Sequence, residues 1–465
     1  MQRMTKTALA LAVLATTVIA GCSKKDDTSG SAGASAAPST AASAAPASTA
    51  PKKDVTIEYW TTPAYKNVEG SIPNPNFGDW EQAKINEYQK SHPNVKINFQ
   101  LVASDAIEQK MTVALAGNNP PDILLDALDR RLMKYVKFGK NEPMDDFIEK
   151  DKADYSKDLL SIASKDGKLY GIPLTVNAEY MFINKKIFQD KGLESLIPKD
   201  RDWNFDEWKD AIRKVNGGGV YGTTMFAGNE QADEMFLMYL YGMGVEQWNA
   251  DSTEVTMGKY KEAGDTIQLF KDLTKEGVVA PGPATLKATD ALELFKQGKI
   301  AMMPWAQSLY SLVDAGQKDG SVSKNIDLYG ILPVHKDGVT PKIPVAVAGY
   351  TVFKQTDKDK REAIKEFLQY MTTSENVKLL AKSGSFIPAR TSSSYPAPYA
   401  DMAEINKLIP ALPSANLGKT SPMYAEARAL WFPALQAALL DKMTPQQAVE
   451  DYTAKANKLL ASAPK

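Results

Sequence analysis

The sequence predicts an α/β protein in which mainly parallel sheets are covered by helices, and three observations carry that reading. Short β-rich runs alternate with helical stretches in the first part of the globular chain. About four hundred residues follow the N-terminal region, enough on a prior of ~100–200 residues per domain for two large lobes or three small ones. Amphipathic helices dominate the C-terminal part, and no internal repeat is present.

The elements begin after two segments that belong to no core. Arg3 and Lys6 precede an apolar run from Ala8 to Ala20, ending in the small residues Ala20 and Gly21, the order of a secretory signal. The run is shorter than the roughly 20 apolar residues of a spanning helix, so residues 1–21 are expected to be removed. Ile19-Ala20-Gly21-Cys22, which holds the only cysteine, resembles the lipobox of bacterial lipoproteins. That resemblance implies acylation of Cys22 and anchoring to the cell membrane on its extracytoplasmic side; the alternative is a secreted protein with a spare cysteine. Stable anchoring takes more than one acyl chain, at about 0.8 kcal/mol per buried CH₂. From Ser23 to Pro51 the chain is Ser, Ala, Gly, Thr and Pro with few charges, so 22–53 reads as a lipidated N-terminus and flexible tether.

The first strand is Val55-Thr56-Ile57-Glu58-Tyr59-Trp60. A helix carrying Trp80, Ala83 and Tyr88 ends before His92-Pro93, where proline blocks continuation. Val95 to Leu101 alternates apolar and polar residues as a second strand. A helix from Ile107 to Ala116 then leads through Gly117 and Pro120-Pro121 into a third strand, Asp122 to Asp126. This β-α-β-α-β order implies parallel pairing. In such sheets ligands lie beyond the carboxyl ends of the strands, so residues just after Trp60 and Asp126 are expected to line a crevice. Further on, Ala363, Ile364, Phe367, Leu368 and Met371 share a helical face. Ser421-Pro422 is expected to open one helix running through Trp431 to Leu440, and Thr444-Pro445 to open the last.

Net charge is −1, acids and bases are mixed, and no basic block occurs beyond the signal, which argues against nucleic acid. The two histidines, His92 and His335, have no second histidine or cysteine at ligand spacing, which argues against zinc and triad chemistry. No phosphate-binding glycine pattern follows a strand. Neither a cofactor nor a metal is expected.

Several segments together resemble one family over almost all of the globular chain. They are Leu115 to Ile123, Tyr170 to Leu174, Phe182 to Phe188, Trp203 to Trp208, Phe295 to Met303 and Phe386 to Arg390. In order and spacing they are similar to the extracellular solute-binding proteins of family 1, the maltose-binding-like receptors of sugar-import ABC transporters. The resemblance implies a two-lobed, periplasmic-binding-protein-like type II fold with a cleft between lobes. The expected lobes are 54–175 with 342–390, and 176–341 with 391–465, the chain crossing near Val176, Pro341 and Arg390.

The same resemblance nominates site residues, of types that suit sugar: aromatic faces for pyranose C–H surfaces and forked polar groups for hydroxyls. Asp129-Arg130 matches a sugar-binding Asp-Arg pair, and Asp126 is a secondary candidate. Asn177 stands in the place of a carboxylate, with Tyr180 near enough to serve instead. Glu230 and Asp233 lie in a turn that contributes ligand contacts, although Asn229 or Asp233 has an equally good reading as a helix cap. Trp305 and Trp431 match stacking tryptophans. Trp60, after the first strand, and Tyr350 complete the set. Asp122 and Arg390 are read as structural.

The implied function is a monomeric, lipid-anchored receptor that delivers a carbohydrate, expected to be an oligosaccharide, to a membrane permease. Arg130, Arg131 and nearby lysines leave neutral and acidic sugars both open. Two other classes stay open at this point: a surface lipoprotein that binds polymer or peptide without transport, and a carbohydrate-active enzyme using acids such as Asp126 and Asp129.

Overall fold

A computed structural model describes residues 53–70, 76–104, 106–229, 232–409, 412–415, 417–418 and 420–462, without the side chains of 232–234. The signal, the tether, Cys22, Glu230 and the side chain of Asp233 therefore lie outside the described residues.

The strands, in chain order, are β1 (Val55–Thr61), β2 (Val95–Leu101), β3 (Ile123–Ala127), the short pair β4 (Ser164–Lys165) and β5 (Lys168–Leu169), then β6 (Ile172–Asn184), β7 (Met302–Ala306), β8 (Leu328–Ile331), β9 (Val345–Val352) and β10 (Ile387–Pro388). β1 lies between β2 and β3 and pairs with both in parallel, as the β-α-β-α-β order requires. The intervening helices are Asp79–Ser91 and Ile107–Ala116, bounded where His92-Pro93 and Gly117 predict.

The order across the principal sheet is β10-β6-β9-β3-β1-β2, with β7 and β8 joined to the far half of β6. Every pairing made by β9, β6, β10, β7 and β8 is antiparallel, so the sheet is mixed rather than mainly parallel. The cause is topological. β6 and β9 carry the chain between lobes in opposite directions and lie side by side, so they pair antiparallel.

β6 is 13 residues long and buried throughout except at Asn177. Its first half belongs to one lobe, whose core draws on 55–174 and 350–389 and includes Ile57, Tyr59, Ile123, Leu174 and Phe367. Its second half belongs to the other lobe, where Phe182, Met303 and Tyr310 form one cluster and Trp208, Phe270, Trp431 and Tyr452 another. At Val176 the three passages lie together: Val176 is opposite Val347 of β9 on one side and Ile387 of β10 on the other.

The last helix, Pro445–Ala461, starts as read, with Thr444 and Gln447 in a capping box. The helix expected from Ser421 to Leu440 is instead two, Tyr424–Arg428 and Trp431–Leu439. Pro433 explains the break. A continuous helix would need its N–H and would set its ring against the carbonyl of Ala429, four residues back.

Candidate functional site

The carboxyl ends of β1 and β3, the middle of β6, the start of β9 and the approach to β10 converge where the lobes join. A cavity of about 280 Å³ opens there, bordered by Thr62 to Tyr65 after β1, Asp126, Ala127, Arg130 and Arg131 around the end of β3, Thr175, Asn177, Ala346 to Ala348, and Phe386. A second cavity, of about 520 Å³, shares Pro63, Ala64, Asn177 and Phe386 with the first. The first lobe adds Phe77 to its wall, and the second lobe adds Ser308, Ser311, Leu312 and Val322.

The acids and arginines after β3 have separate duties. Arg131 holds Asp126 in a forked ion pair through Nε and Nη2, and Thr62 Oγ1 donates to the same carboxylate at 3.2 Å. Burial opposes the charge on Arg131, but the Asp126 carboxylate outweighs it and raises the guanidinium pKa. Asp126 thus reaches the cavity as half of a neutral pair. Asp129 is buried, and its Oδ1 accepts from the Val347 N–H at 2.7 Å, clamping the start of β9. Arg130, with Nε 4.0 Å from Asp129 Oδ2, keeps part of its side chain exposed and lines the cavity. Of the Asp129-Arg130 pair, then, the arginine borders the open space and the aspartate holds a crossing strand.

Asn177 borders both cavities. Its Nδ2 donates to Ser308 Oγ at 3.3 Å and its Oδ1 accepts from the Ser308 N–H at 3.2 Å, tying β6 to the start of the helix Leu309–Asp319. An amide suits this place because it both donates and accepts; a carboxylate would only accept.

The aromatic candidates lie outside the walls of both cavities. Tyr350 is fully buried in the first lobe's core, its ring 6.0 Å from that of Tyr59, because strand parity puts it on the same face as Val352. Tyr180 is likewise enclosed, 4.8 Å from Phe182. Trp431 sits on the inner stripe of its helix with Ala434, Leu435 and Ala438, packed on Phe236 and Tyr452. Trp60 has the opposite parity to Tyr59, so its ring joins a satellite cluster on the other sheet face, with Lys110 Nζ 4.0 Å above it. Trp305 is half-buried, edge-on to Phe226 at 6.2 Å and cross-strand from Tyr180, and it borders neither of these two cavities.

Asn229 Oδ1 accepts from the Ala288 N–H at 3.1 Å, in the first turn of the helix Ala288–Lys296. Asp122 and Arg390 are structural, the first accepting from the Glu58 N–H at 2.7 Å, the second donating to Asp154 at 2.7 Å and to the Thr372 carbonyl at 2.6 Å. Sequence reasoning missed Pro63, Tyr65, Ser308 and Phe386 as wall residues. The first two follow β1, where the strand-end rule already pointed, and Phe386 lay in a segment used only for fold; Phe77 carried no signal.

One ion pair links the lobes away from these cavities. Lys134, on the helix Leu128–Lys137, reaches Glu108 at 2.6 Å and Glu426 of the helix Tyr424–Arg428 at 3.0 Å. Among the described residues no cluster of acids, histidines and cysteines is arranged to hold a metal, and no helix is long and apolar enough to cross a membrane.

Two α/β lobes, joined by three adjacent strand passages with polar and aromatic cavities at the junction, define the class of two-lobed solute receptors. The chain belongs to the family of bacterial extracellular solute-binding proteins, whose sequence profile matches residues 74–378. A binding protein of Brucella abortus is 25% identical over 378 residues, 80% of this chain and 88% of that one. The diacetylchitobiose-binding protein DasA of Streptomyces coelicolor is 25% identical over 370 residues, 77% of this chain and 79% of its own. Among solved structures, a chitin oligosaccharide binding protein shares the fold at a TM-score of 0.72 and 17% identity, over 88% of this chain and 100% of that one.

Proposed function

We propose that this protein is an extracytoplasmic carbohydrate receptor, anchored through a lipid on Cys22, that encloses its ligand by lobe closure and delivers it to an ABC import permease. The observation that carries the reading is the junction cavity itself. Arg130, Thr175 and Asn177 offer hydrogen bonds beside an aromatic wall, on the elements that link the lobes. Similarity to a diacetylchitobiose-binding protein supports a carbohydrate as the ligand.

The lobes in this reading are 54–175 with 342–390, and 176–341 with 391–465. They bend about Val176, Val347 and Ile387, and the ligand contributes its differential affinity for the closed form. A micromolar dissociation constant corresponds to about 8 kcal/mol, within reach of a stacked ring and several hydrogen bonds after desolvation and ordering costs. Trp305, half-buried on the second lobe and outside both cavities, is expected to report closure rather than ligand contact. The ligand is carried, not altered.

The test is thermal unfolding and tryptophan fluorescence of the purified protein against neutral and acidic oligosaccharides. A ligand at 100 times its Kd should stabilise by about 2.7 kcal/mol. Arg130→Gln should raise Kd at least tenfold, and Trp305→Ala should abolish the fluorescence change. Binding with no interlobe distance change in scattering would favour a polymer-binding surface protein instead. Release of shortened sugar would make it an enzyme.

A further inference from the structure

Phe386 lines both junction cavities, and of the four residues they share it alone carries an aromatic ring. It is partly exposed, yet its position is closely determined. Tyr65 meets it edge-on at 6.1 Å. Gly384 passes so close beneath that a Cβ there would lie 2.1 Å from ring carbon Cε2, so only glycine admits the ring in this pose. The Phe386 N–H donates to the Ala381 carbonyl at 2.8 Å, and its carbonyl accepts from the Tyr395 hydroxyl at 2.6 Å. From the second lobe, Gln307 Nε2 donates to the carbonyl of the preceding Ser385 at 2.6 Å. An apolar plate held this firmly needs little ordering on binding.

The spaces on either side of the plate differ. The first, about 280 Å³, has Arg130, Thr175 and the neutral Asp126–Arg131 pair. It falls just below the ~300–1,000 Å³ usual for ligand sites. The second, about 520 Å³, has Ser308, Ser311, Lys296 and Asp319 with the apolar Leu312 and the exposed Phe77. A linked chain of pyranose rings presents an apolar face and a hydroxyl edge at each unit, and so matches a plate with polar groups before and after it. One ring alone engages only one side.

Resting on the carbohydrate reading, we propose that Phe386 is the specificity-determining platform between two subsites, and that the ligand is an oligosaccharide of at least two rings that crosses it. Calorimetry on the purified protein would use β-1,4-N-acetylglucosamine and α-1,4-glucose series of one to five units. In the series that binds, Kd should fall at least tenfold as the chain lengthens past one unit. Phe386→Ala should weaken the single sugar, which rests on one side only, and should weaken chains of two or more units by a larger factor, so that most of the gain is lost. Phe386→Leu, which keeps apolar bulk without a flat face, should behave like Phe386→Ala with its thermal midpoint retained, and Phe386→Trp should keep the gain. An equal loss at every length, no loss in either variant, or a wild-type Kd independent of length overturns the platform. Failure of every series to bind wild type refutes the carbohydrate reading itself, and the platform with it.

Discussion

Glu81 gives the sharpest test of how the first lobe is held together. It lies in the first turn of the helix Asp79–Ser91, 1% exposed and facing the core with Trp80, Ile85 and Tyr88. Burial pushes its pKa up from 4.5 to about 7; its own backbone N–H resists the rise and Asp79 adds to it. A folded pKa above the unfolded one means the native state binds the proton more tightly. Stability is therefore full below pH 4.5, falls as pH rises through about 7, and levels off above. A shift of that size at 1.36 kcal/mol per pKa unit amounts to roughly 3 kcal/mol. Glu81→Gln removes the charge and nearly keeps the shape. Urea unfolding from pH 4.5 to 9, followed by tryptophan fluorescence, should show variant and wild type equal at the acid end. The variant should be more stable by about 3 kcal/mol above pH 8. A stability difference independent of pH would refute the argument, since a packing effect carries no proton.

Other expectations follow from the same geometry. Arg131→Ala strands a buried Asp126 carboxylate and should destabilise by about 3–5 kcal/mol in urea unfolding; no loss would mean water already reaches that pair. Trp431→Ala should cost about 3–5 kcal/mol of stability as a core cavity while leaving the Kd of any sugar nearly unchanged, the reverse of a stacking residue. Glu426→Gln removes a partly exposed lobe-to-lobe ion pair and should change stability by less than about 1 kcal/mol, with the difference vanishing in high salt. Asn177→Ala should loosen the start of the helix Leu309–Asp319, costing about 1 kcal/mol, and should also weaken binding at the junction.

Backbone chemistry was legible from the residues alone. The first three strands, the helices between them and the Thr444 cap all follow from alternation, proline stops and capping, which are local. The two-lobed fold came through the resemblance of scattered segments, not through any one of them. Facing was harder to read. Tyr350 and Tyr180 are the right chemistry for a sugar, but both turn into the core. Trp431 shares a helical stripe with Leu435 and Ala438, a pattern the sequence displayed, and Pro433 marked the helix break. The platform at Phe386 was beyond local reasoning, because its exposure depends on Gly384, Tyr65 and a glutamine from the other lobe.

The place of β9 in the sheet bears on how the chain reaches this structure. β9 lies between β3 and β6, yet it is made after both, once most of the second lobe has emerged. A nascent chain that ends before Val345 holds β3 and β6 with bare backbone edges facing a vacant slot, and its core lacks Tyr350, Val352 and Phe367. The first lobe must wait for its centre. Such long-range closure is slow, and until the last quarter of the chain arrives those edges stay open to pairing with other chains.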